Sequence, residues 1–300
     1  MKTLVTGVFA LDEYRRAAME DLGLELTFHK DERVAVDCPE QFEAVICNGL
    51  FSFQDIANFS NLKYIQLTSA GFDRVPMDYV RERGIRICNA RGVYSIPMAE
   101  FALAGVLQLY KHMDFFRENQ KKHGWEKHRN LLELAGRQVC ILGCGSVGAE
   151  CAKRFSAFGC QVTGVDVSAE PRAYFDEIVL TEDLERAVPL ADILVLTIPL
   201  TEQTRHMINR DLLKKMKPGA LLVNIARGAI VDTQALIEAL QTGRLGGAVL
   251  DVFEEEPLSW DSPLWDMDNV IITPHNSFVG EKNQVRLTNV VINNIKSWRI

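Results

Sequence analysis

Three polar groups stand just beyond three apolar runs of the sequence. Arg227 follows Ala220–Asn224, the acids Glu254, Glu255 and Glu256 follow Ala248–Leu250, and His275 follows Val270–Thr273. Singly, each has a plain reading: Arg227 as a helix-cap contact, the glutamates as a solvated turn, His275 as a satisfied loop histidine. Together they are a guanidinium, a carboxylate and an imidazole, which can hold an oxyanion and move a proton. Imidazole ordinarily titrates near neutrality, so it can give a proton in one direction and take it in the other.

A second constellation lies upstream. The apolar run Gln138–Leu142 leads into Gly143-Cys144-Gly145-Ser146-Val147-Gly148, and Val147, Cys151, Ala152, Phe155 and Phe158 then share one helical face. Here Gly143 allows a tight turn, Gly145 lets a pyrophosphate approach the backbone, and Gly148 lets helix pack on strand. Free N–H groups and the dipole of the helix start attract phosphate. A further strand, Gln161–Val165, ends at Asp166, roughly twenty residues past the glycines, where a ribose-binding acid belongs. The plain alternative is a surface turn and a solvated aspartate. Strand, helix, strand and acid in this order favour dinucleotide binding.

These residues need a scaffold that puts strand ends on one edge. Residues 1 to about 92 alternate strands, at 4–6, 24–28, 44–48, 64–68 and 85–89, with helical segments such as 12–22. From 138 onward the same alternation recurs, with strands near 138, 161, 178, 193, 220, 248 and 270, and a final amphipathic helix covers 282–298. Helical connections between strands predict parallel sheets covered on both faces, an α/β chain of two doubly wound domains. Ligands bind beyond the carboxyl ends of such strands. That makes Asn48-Gly49-Leu50 and Ser69-Ala70-Gly71 candidate ligand loops, with ordinary turn chemistry as the competing reading. One long helix is expected over 97–121, apolar around much of its circumference and so buried on more than one side, between domains or subunits. His112, His123 and His128 near its end read as solvated surface.

Composition narrows the function classes. The 300 residues suggest about two domains, and 47% apolar content is ample for packed cores. A net charge of −7 argues against a general nucleic-acid binder. No apolar run is long enough for a membrane span. The N-terminus reads as a strand, not a signal peptide, and the seven cysteines are odd in number and scattered, so a reducing cytoplasmic setting is expected. Cys140, Cys144, Cys151 and Cys160 match no common zinc spacing, so no metal is expected.

The chain resembles the D-isomer-specific 2-hydroxyacid dehydrogenases. The matching stretches are Ser69-Ala70-Gly71-Phe72-Asp73, Met98-Ala99-Glu100-Phe101, Gly143–Gly148, Pro199-Leu200-Thr201, Asn224–Gly228, Asp251–Leu258 and Thr273-Pro274-His275, in the family's order. The resemblance implies a discontinuous, flavodoxin-like substrate domain, 1–93 and 279–300, around an inserted Rossmann NAD-binding domain, 94–278. It implies a homodimer through the helix after Pro97. It also implies hydride transfer between NAD and a small 2-oxo or 2-hydroxy acid, as in glyoxylate/hydroxypyruvate reductases or phosphoglycerate dehydrogenase. Carried onto this sequence, Arg227 binds the substrate carboxylate and carbonyl oxygen, His275 is the acid/base, and Glu256 pairs with His275 and favours its charged form. Glu254 and Glu255 fall outside the family's catalytic position and read as solvated. Gly143, Gly145, Ser146, Val147, Gly148, Asp166, Pro199, Thr204, Ala226 and Asp251 hold the cofactor, Asp251 at the nicotinamide carboxamide. Ser69, Ala70 and Gly71 hold the substrate carboxylate. Asp166 favours NAD by repelling a 2′-phosphate, with Arg172 close enough in sequence to soften the preference. Two other readings stay open: an NAD(H) sensor without catalysis, and a formate- or phosphite-type dehydrogenase of related architecture. The substrate's side chain is not legible, and Arg74, Arg81 and Arg83 cannot be placed from sequence.

Overall fold

The computed structural model describes residues 1–7 and 9–299. Two compact units emerge: Met1–Tyr94 with the segment from Gly280 onward, and Ser95–Val279.

In the first unit, short apolar runs form β1 (Lys2–Thr6), β2 (Glu25–His29), β3 (Ala44–Cys47), β4 (Tyr64–Leu67) and β5 (Arg86–Cys88). They are all parallel, in the order β2-β1-β3-β4-β5. That is the flavodoxin-like doubly wound order. β3 and β4 are buried along their whole length, as a sheet covered on both faces requires. α1 (Glu13–Glu20) starts at Asp12, whose carboxylate accepts the Arg15 N–H as an N-cap; α2 (Met77–Glu82) joins β4 to β5.

The second unit opens with α3 (Ser95–Tyr110) and α4 (Met113–Lys121). It continues as β6 (Gln138–Leu142), α5 (Ser146–Ala157), β7 (Gln161–Asp166), β8 (Glu177–Leu180), α6 (Leu184–Ala187), β9 (Ile193–Leu196) and α7 (Arg210–Lys215). β10 (Ala220–Asn224), α8 (Thr233–Gln241), β11 (Leu245–Leu250) and β12 (Val270–Ile272) complete it. The parallel sheet runs β12-β11-β10-β9-β6-β7-β8. Chain order reverses between β6 and β9, the switch point at which a Rossmann sheet opens its ligand crevice. The chain then returns to the first unit as α9 (Asn283–Arg299), whose Leu287, Val291 and Ile295 bury against Val5, Met19 and Ile46.

The single helix expected over 97–121 is two. His112 takes a left-handed backbone, φ +47°, which an α-helix cannot contain, so α3 stops at Tyr110 and α4 restarts at Met113. His112 and His123 are exposed, as expected, but His128 is half-buried and His112 is not free of contacts. The His112 and His128 rings stack at 4.1 Å, Phe115 packs edge-on to His128, and burial together with the second imidazole pushes His112 below its ordinary value.

α5 packs tightly on the strand that precedes it. A Cβ at Gly148 would lie 1.9 Å from the Gly143 carbonyl oxygen, a contact that cannot exist without moving backbone. Gly148→Ala should therefore lower unfolding stability by about 1–3 kcal/mol through overpacking. Thermal denaturation checks this, and an unchanged midpoint would contradict the close helix–strand contact.

Candidate active site

The glycine turn is built to receive an anion. Gly143 has φ +100°, and its own Cβ would meet Thr197 and Ile198 at 2.9–3.0 Å. Gly145 stands in extended conformation at the N-cap of α5 and offers no side-chain cap, so the first N–H groups of the helix stay available. Thr197, at the end of β9, donates its hydroxyl to the Gly143 carbonyl at 2.7 Å and fixes the turn from below. Asp166 ends β7 beside it. Its Oδ2 accepts the Cys144 N–H at 2.6 Å and its Oδ1 accepts the Val167 N–H at 2.7 Å. Each oxygen keeps a lone pair for a ribose hydroxyl. Arg172 donates to the Cys144 carbonyl, so one guanidinium shares this turn with the acid. An uncapped helix start, two glycines that admit no side chain and a half-buried carboxylate fit the adenosine end of a dinucleotide.

Burial raises the thiols beneath this turn, Cys140, Cys144 and Cys151 each to about 12, so they stay protonated. They pack as small hydrophobes. Ser146 and Val147 lie in the first turn of α5. Pro199 begins the turn after β9, and Thr204 braces it, accepting the Thr201 N–H at 2.7 Å and donating to the Pro199 carbonyl at 2.8 Å. Ala226 is buried, with its N–H held by Asn224 Oδ1.

Arg227, Glu256 and His275 follow β10, β11 and β12, three adjacent strands of the same sheet, past their carboxyl ends. Asn224 ends β10 fully buried, and its amide donates to the Arg227 carbonyl at 3.0 Å. Gly228 lies so close to the Phe253 backbone that a Cβ there would sit 1.8 Å from the carbonyl carbon. The turn carrying Arg227 is thus pressed onto the one carrying Glu256. Glu256 Oε2 meets His275 Nδ1 at 2.8 Å, while its Oε1 accepts the Phe253 N–H. A carboxylate on Nδ1 fixes the tautomer and leaves Nε2 as the nitrogen that faces outward chemistry.

His275 itself has φ +53°, left-handed for a non-glycine residue. Asp251 holds it there. The buried carboxylate accepts the Thr273 hydroxyl at 2.7 Å and the backbone N–H groups of Asn276 at 2.7 Å and Ser277 at 2.9 Å. The Asp251 carbonyl accepts the His275 N–H at 2.8 Å. The side-chain bonds Asp251 makes within the protein go to the histidine turn, a task its sequence position does not reveal.

In the first unit, Ser69, Ala70 and Gly71 follow β4. The Ser69 carbonyl accepts the Ala90 N–H at 2.8 Å, and the Ala70 carbonyl accepts the Asn89 amide at 2.5 Å. Carbonyl and N–H point opposite ways across a planar trans peptide, so the N–H groups of Ala70 and Gly71 both face away from residues 89–90. Among the described residues neither meets an acceptor. Thr68 Oγ1 is buried and unpartnered beside them. This loop can take an anion. The other candidate, Asn48-Gly49-Leu50, cannot in the same way: Glu32 already accepts the Asn48 and Gly49 N–H groups, each at 2.7 Å, and the Thr6 hydroxyl at 2.6 Å.

Other expectations need correction. Glu254 is not a free solvated acid: it accepts from the Thr233 N–H and hydroxyl and contacts His206 Nε2 at 2.8 Å. Burial pushes its carboxyl up, but these hydrogen bonds outweigh burial and hold it below the ordinary value. Of the first unit's unplaced cations, Arg81 pairs with Asp78 and Arg83 stacks over Tyr79, whereas Arg74 lies beside Gly49. Sequence reasoning passed over Asn224, Glu32 and Asn89. The available signal for Asn224 and Asn89 is an amide side chain at the very end of an apolar strand, where backbone groups need partners.

Comparison with known proteins agrees with this geometry. Residues 103–277 match the family model for the NAD-binding domain of D-isomer-specific 2-hydroxyacid dehydrogenases. A glyoxylate reductase from Thermofilum pendens is 34% identical over 244 residues, 78% of this chain and 71% of that one. A D-3-phosphoglycerate dehydrogenase from Methanocaldococcus jannaschii is 35% identical over 244 residues, 80% of this chain but 46% of that longer protein. The crystal structure of D-lactate dehydrogenase from Aquifex aeolicus, complexed with NAD and lactic acid, superposes with a TM-score of 0.82 at 28% identity, covering 99% of this chain and 95% of that one. The chain belongs to the D-isomer-specific 2-hydroxyacid dehydrogenases, NAD-dependent enzymes that interconvert a 2-oxo acid and its 2-hydroxy acid.

Proposed function

We propose that this protein reduces a small 2-oxo acid, of the glyoxylate or hydroxypyruvate kind, to the D-2-hydroxy acid, with His275 as the acid that protonates the new hydroxyl. The observation that carries this reading is the 2.8 Å contact between Glu256 and His275 Nδ1, which frees Nε2 for the substrate oxygen. NADH, when bound, supplies the hydride. Arg227 binds the substrate carboxylate and polarises the carbonyl with its planar fork. The N–H groups of Ala70 and Gly71, with Ser69, receive the carboxylate. As charge develops on the carbonyl oxygen, His275 gives up its proton, and Glu256 on Nδ1 keeps the ring aimed. The reverse direction needs neutral His275 as base. The relatives named glyoxylate reductase support a small substrate.

A pure NAD(H) sensor has no use for a paired imidazole and carboxylate on the sheet edge. A formate- or phosphite-type reaction would not need a proton donor for a carbonyl oxygen. A panel of 2-oxo acids followed by NADH absorbance separates the readings. Turnover of at least one is expected; NADH binding with no turnover across the panel would favour the sensor. His275→Ala should lower kcat by about 10²- to 10⁴-fold, the worth of one positioned acid or base, with NADH affinity preserved.

Asp166 gives the protein its preference for NAD, and Arg172, on the same turn, leaves some tolerance of NADP. Removing an acceptor from a charged hydrogen bond costs about 1.5–3 kcal/mol. Asp166→Ala should therefore shift the NADH/NADPH ratio of kcat/KM toward NADPH by roughly 10- to 100-fold. An unchanged ratio would show that another group reads the ribose.

The working form is a homodimer in the cytoplasm. Phe101 and Leu107 on α3 remain half-exposed, and Met113, Trp125, Leu131 and Leu132 add exposed apolar surface beyond its end. An apolar surface of this kind seeks a partner. Light scattering should give twice the chain mass at micromolar concentration; the mass of a single chain would refute the dimer.

A further inference from the structure

The anion-facing loop after β4 owes its orientation to a chain of amides that the chemistry so far leaves unused. Asn89 ends β5. Its Nδ2 donates to the Ala70 carbonyl at 2.5 Å, and its Oδ1 accepts the Arg91 N–H at 3.2 Å. Donor and acceptor ends are both engaged, so the amide cannot flip without losing two bonds. The Asn89 carbonyl is held in turn by Asn294 of α9, whose Nδ2 reaches it at 3.3 Å and reaches Gln66 Oε1 at 3.0 Å. Gln66 is fully buried in β4. Its Oε1 also accepts the Tyr64 hydroxyl at 2.9 Å, and its Nε2 donates to the Leu67 carbonyl at 2.8 Å. The C-terminal helix is thereby linked to the loop through the Asn294 amide, the Asn89 backbone carbonyl and the Asn89 side chain.

The consequence lies in peptide geometry. Pinning the Ala70 carbonyl toward Asn89 forces the Gly71 N–H the opposite way, because the two are antiparallel in one rigid plane. The Ser69 carbonyl, pinned by the Ala90 N–H, does the same for the Ala70 N–H. Without the Asn89 donor, the Ala70–Gly71 peptide can rotate and present its carbonyl dipole to an incoming anion instead. A glycine at the C-terminal side makes that rotation easy.

We propose that Asn89 is a positioning residue that aims the Ala70 and Gly71 N–H groups at the substrate carboxylate, and that Asn294 locks Asn89 in place. This rests on the reading that the loop binds the carboxylate. The carboxylate is present in ground and transition states alike, so the effect belongs in KM, with kcat retained.

The test is steady-state kinetics of the full-length protein with NADH and a 2-oxo acid that the wild type reduces. Asn89→Asp keeps the shape and the acceptor for the Arg91 N–H but replaces the donor with a negative charge. Asn89→Ala, which removes the donor without adding charge, is therefore measured beside it and must raise KM as well for the positioning role to stand. Asn89→Asp should raise KM for the 2-oxo acid by about 10- to 100-fold, the worth of one lost hydrogen bond to the charged carboxylate, with kcat within about threefold and NADH affinity unchanged. Asn294→Ala should move KM in the same direction, by about 3- to 10-fold. Asn293→Ala, an exposed neighbour on α9 outside the amide chain, should leave KM alone. If Asn89→Asp leaves KM within about twofold of wild type, or if it depresses kcat and NADH affinity along with KM, the positioning role is overturned. Should Asn89→Asp fail to fold, Asn294→Ala decides, and an unchanged KM there overturns the proposal. Absence of 2-oxo acid turnover by the wild-type protein defeats the underlying functional reading instead, a result visible before any variant is made.

Discussion

The candidate active site depends on one buried carboxylate. Asp251 gathers a hydroxyl and two backbone N–H groups from residues 273–277 onto its two oxygens, and its own carbonyl takes the His275 N–H. The left-handed backbone at His275 costs about 1–2 kcal/mol. Hydrogen bonds to a charged group contribute about 1.5–3 kcal/mol each, so three of them outweigh that strain comfortably. The histidine is held in an unfavourable conformation because the surrounding bonds over-determine it. That conformation is what turns Nδ1 onto Glu256.

The same economy recurs at each strand end. A parallel strand stops with its last carbonyls unpaired at the carboxyl edge, and a short polar side chain closes the turn that follows. Thr197 does so for the glycine turn, Asn224 for the Arg227 turn, Asp251 for the His275 turn and Asn89 for the Ser69–Gly71 loop. Where the turn must offer N–H groups to a ligand, its carbonyls are the groups tied back. Where an internal carboxylate takes the N–H groups, as Glu32 does at Asn48 and Gly49, the loop is already filled. Two loops that look alike in sequence thus differ in what they can bind.

Much of this was legible in the amino-acid sequence. The apolar runs separated by helical segments marked the parallel sheets, since few other arrangements hide so many fully apolar strands. The glycines at 143, 145 and 148, followed by Asp166, marked the nucleotide turn because each position answers a steric or electrostatic need. Arg227, the acids Glu254–Glu256 and His275 stood out by lying just past three such runs, and the family resemblance singled out Glu256 among the acids. What was not legible depends on contacts between residues far apart in the chain. The break at His112 comes from a backbone sign that periodicity does not register, and its stacking on His128 joins residues on either side of α4. Glu254 looked solvated because nothing nearby in sequence announces Thr233 or His206 as its partners. The bonds of Asp251 to Thr273, Asn276 and Ser277 are likewise invisible in the sequence, because they join residues more than twenty positions apart.

The central claim is that His275 Nε2 carries the proton exchanged with the substrate oxygen. The most direct measurement is kcat/KM as a function of pH in both directions on the same protein. Reduction consumes the proton of imidazolium, so its kcat/KM should fall as His275 deprotonates; oxidation needs the neutral ring, so its kcat/KM should rise over the same interval. The two limbs should mirror one another, and both should vanish in His275→Ala. Profiles that move in the same direction, or that keep their limbs in the His275→Ala variant, would contradict the account.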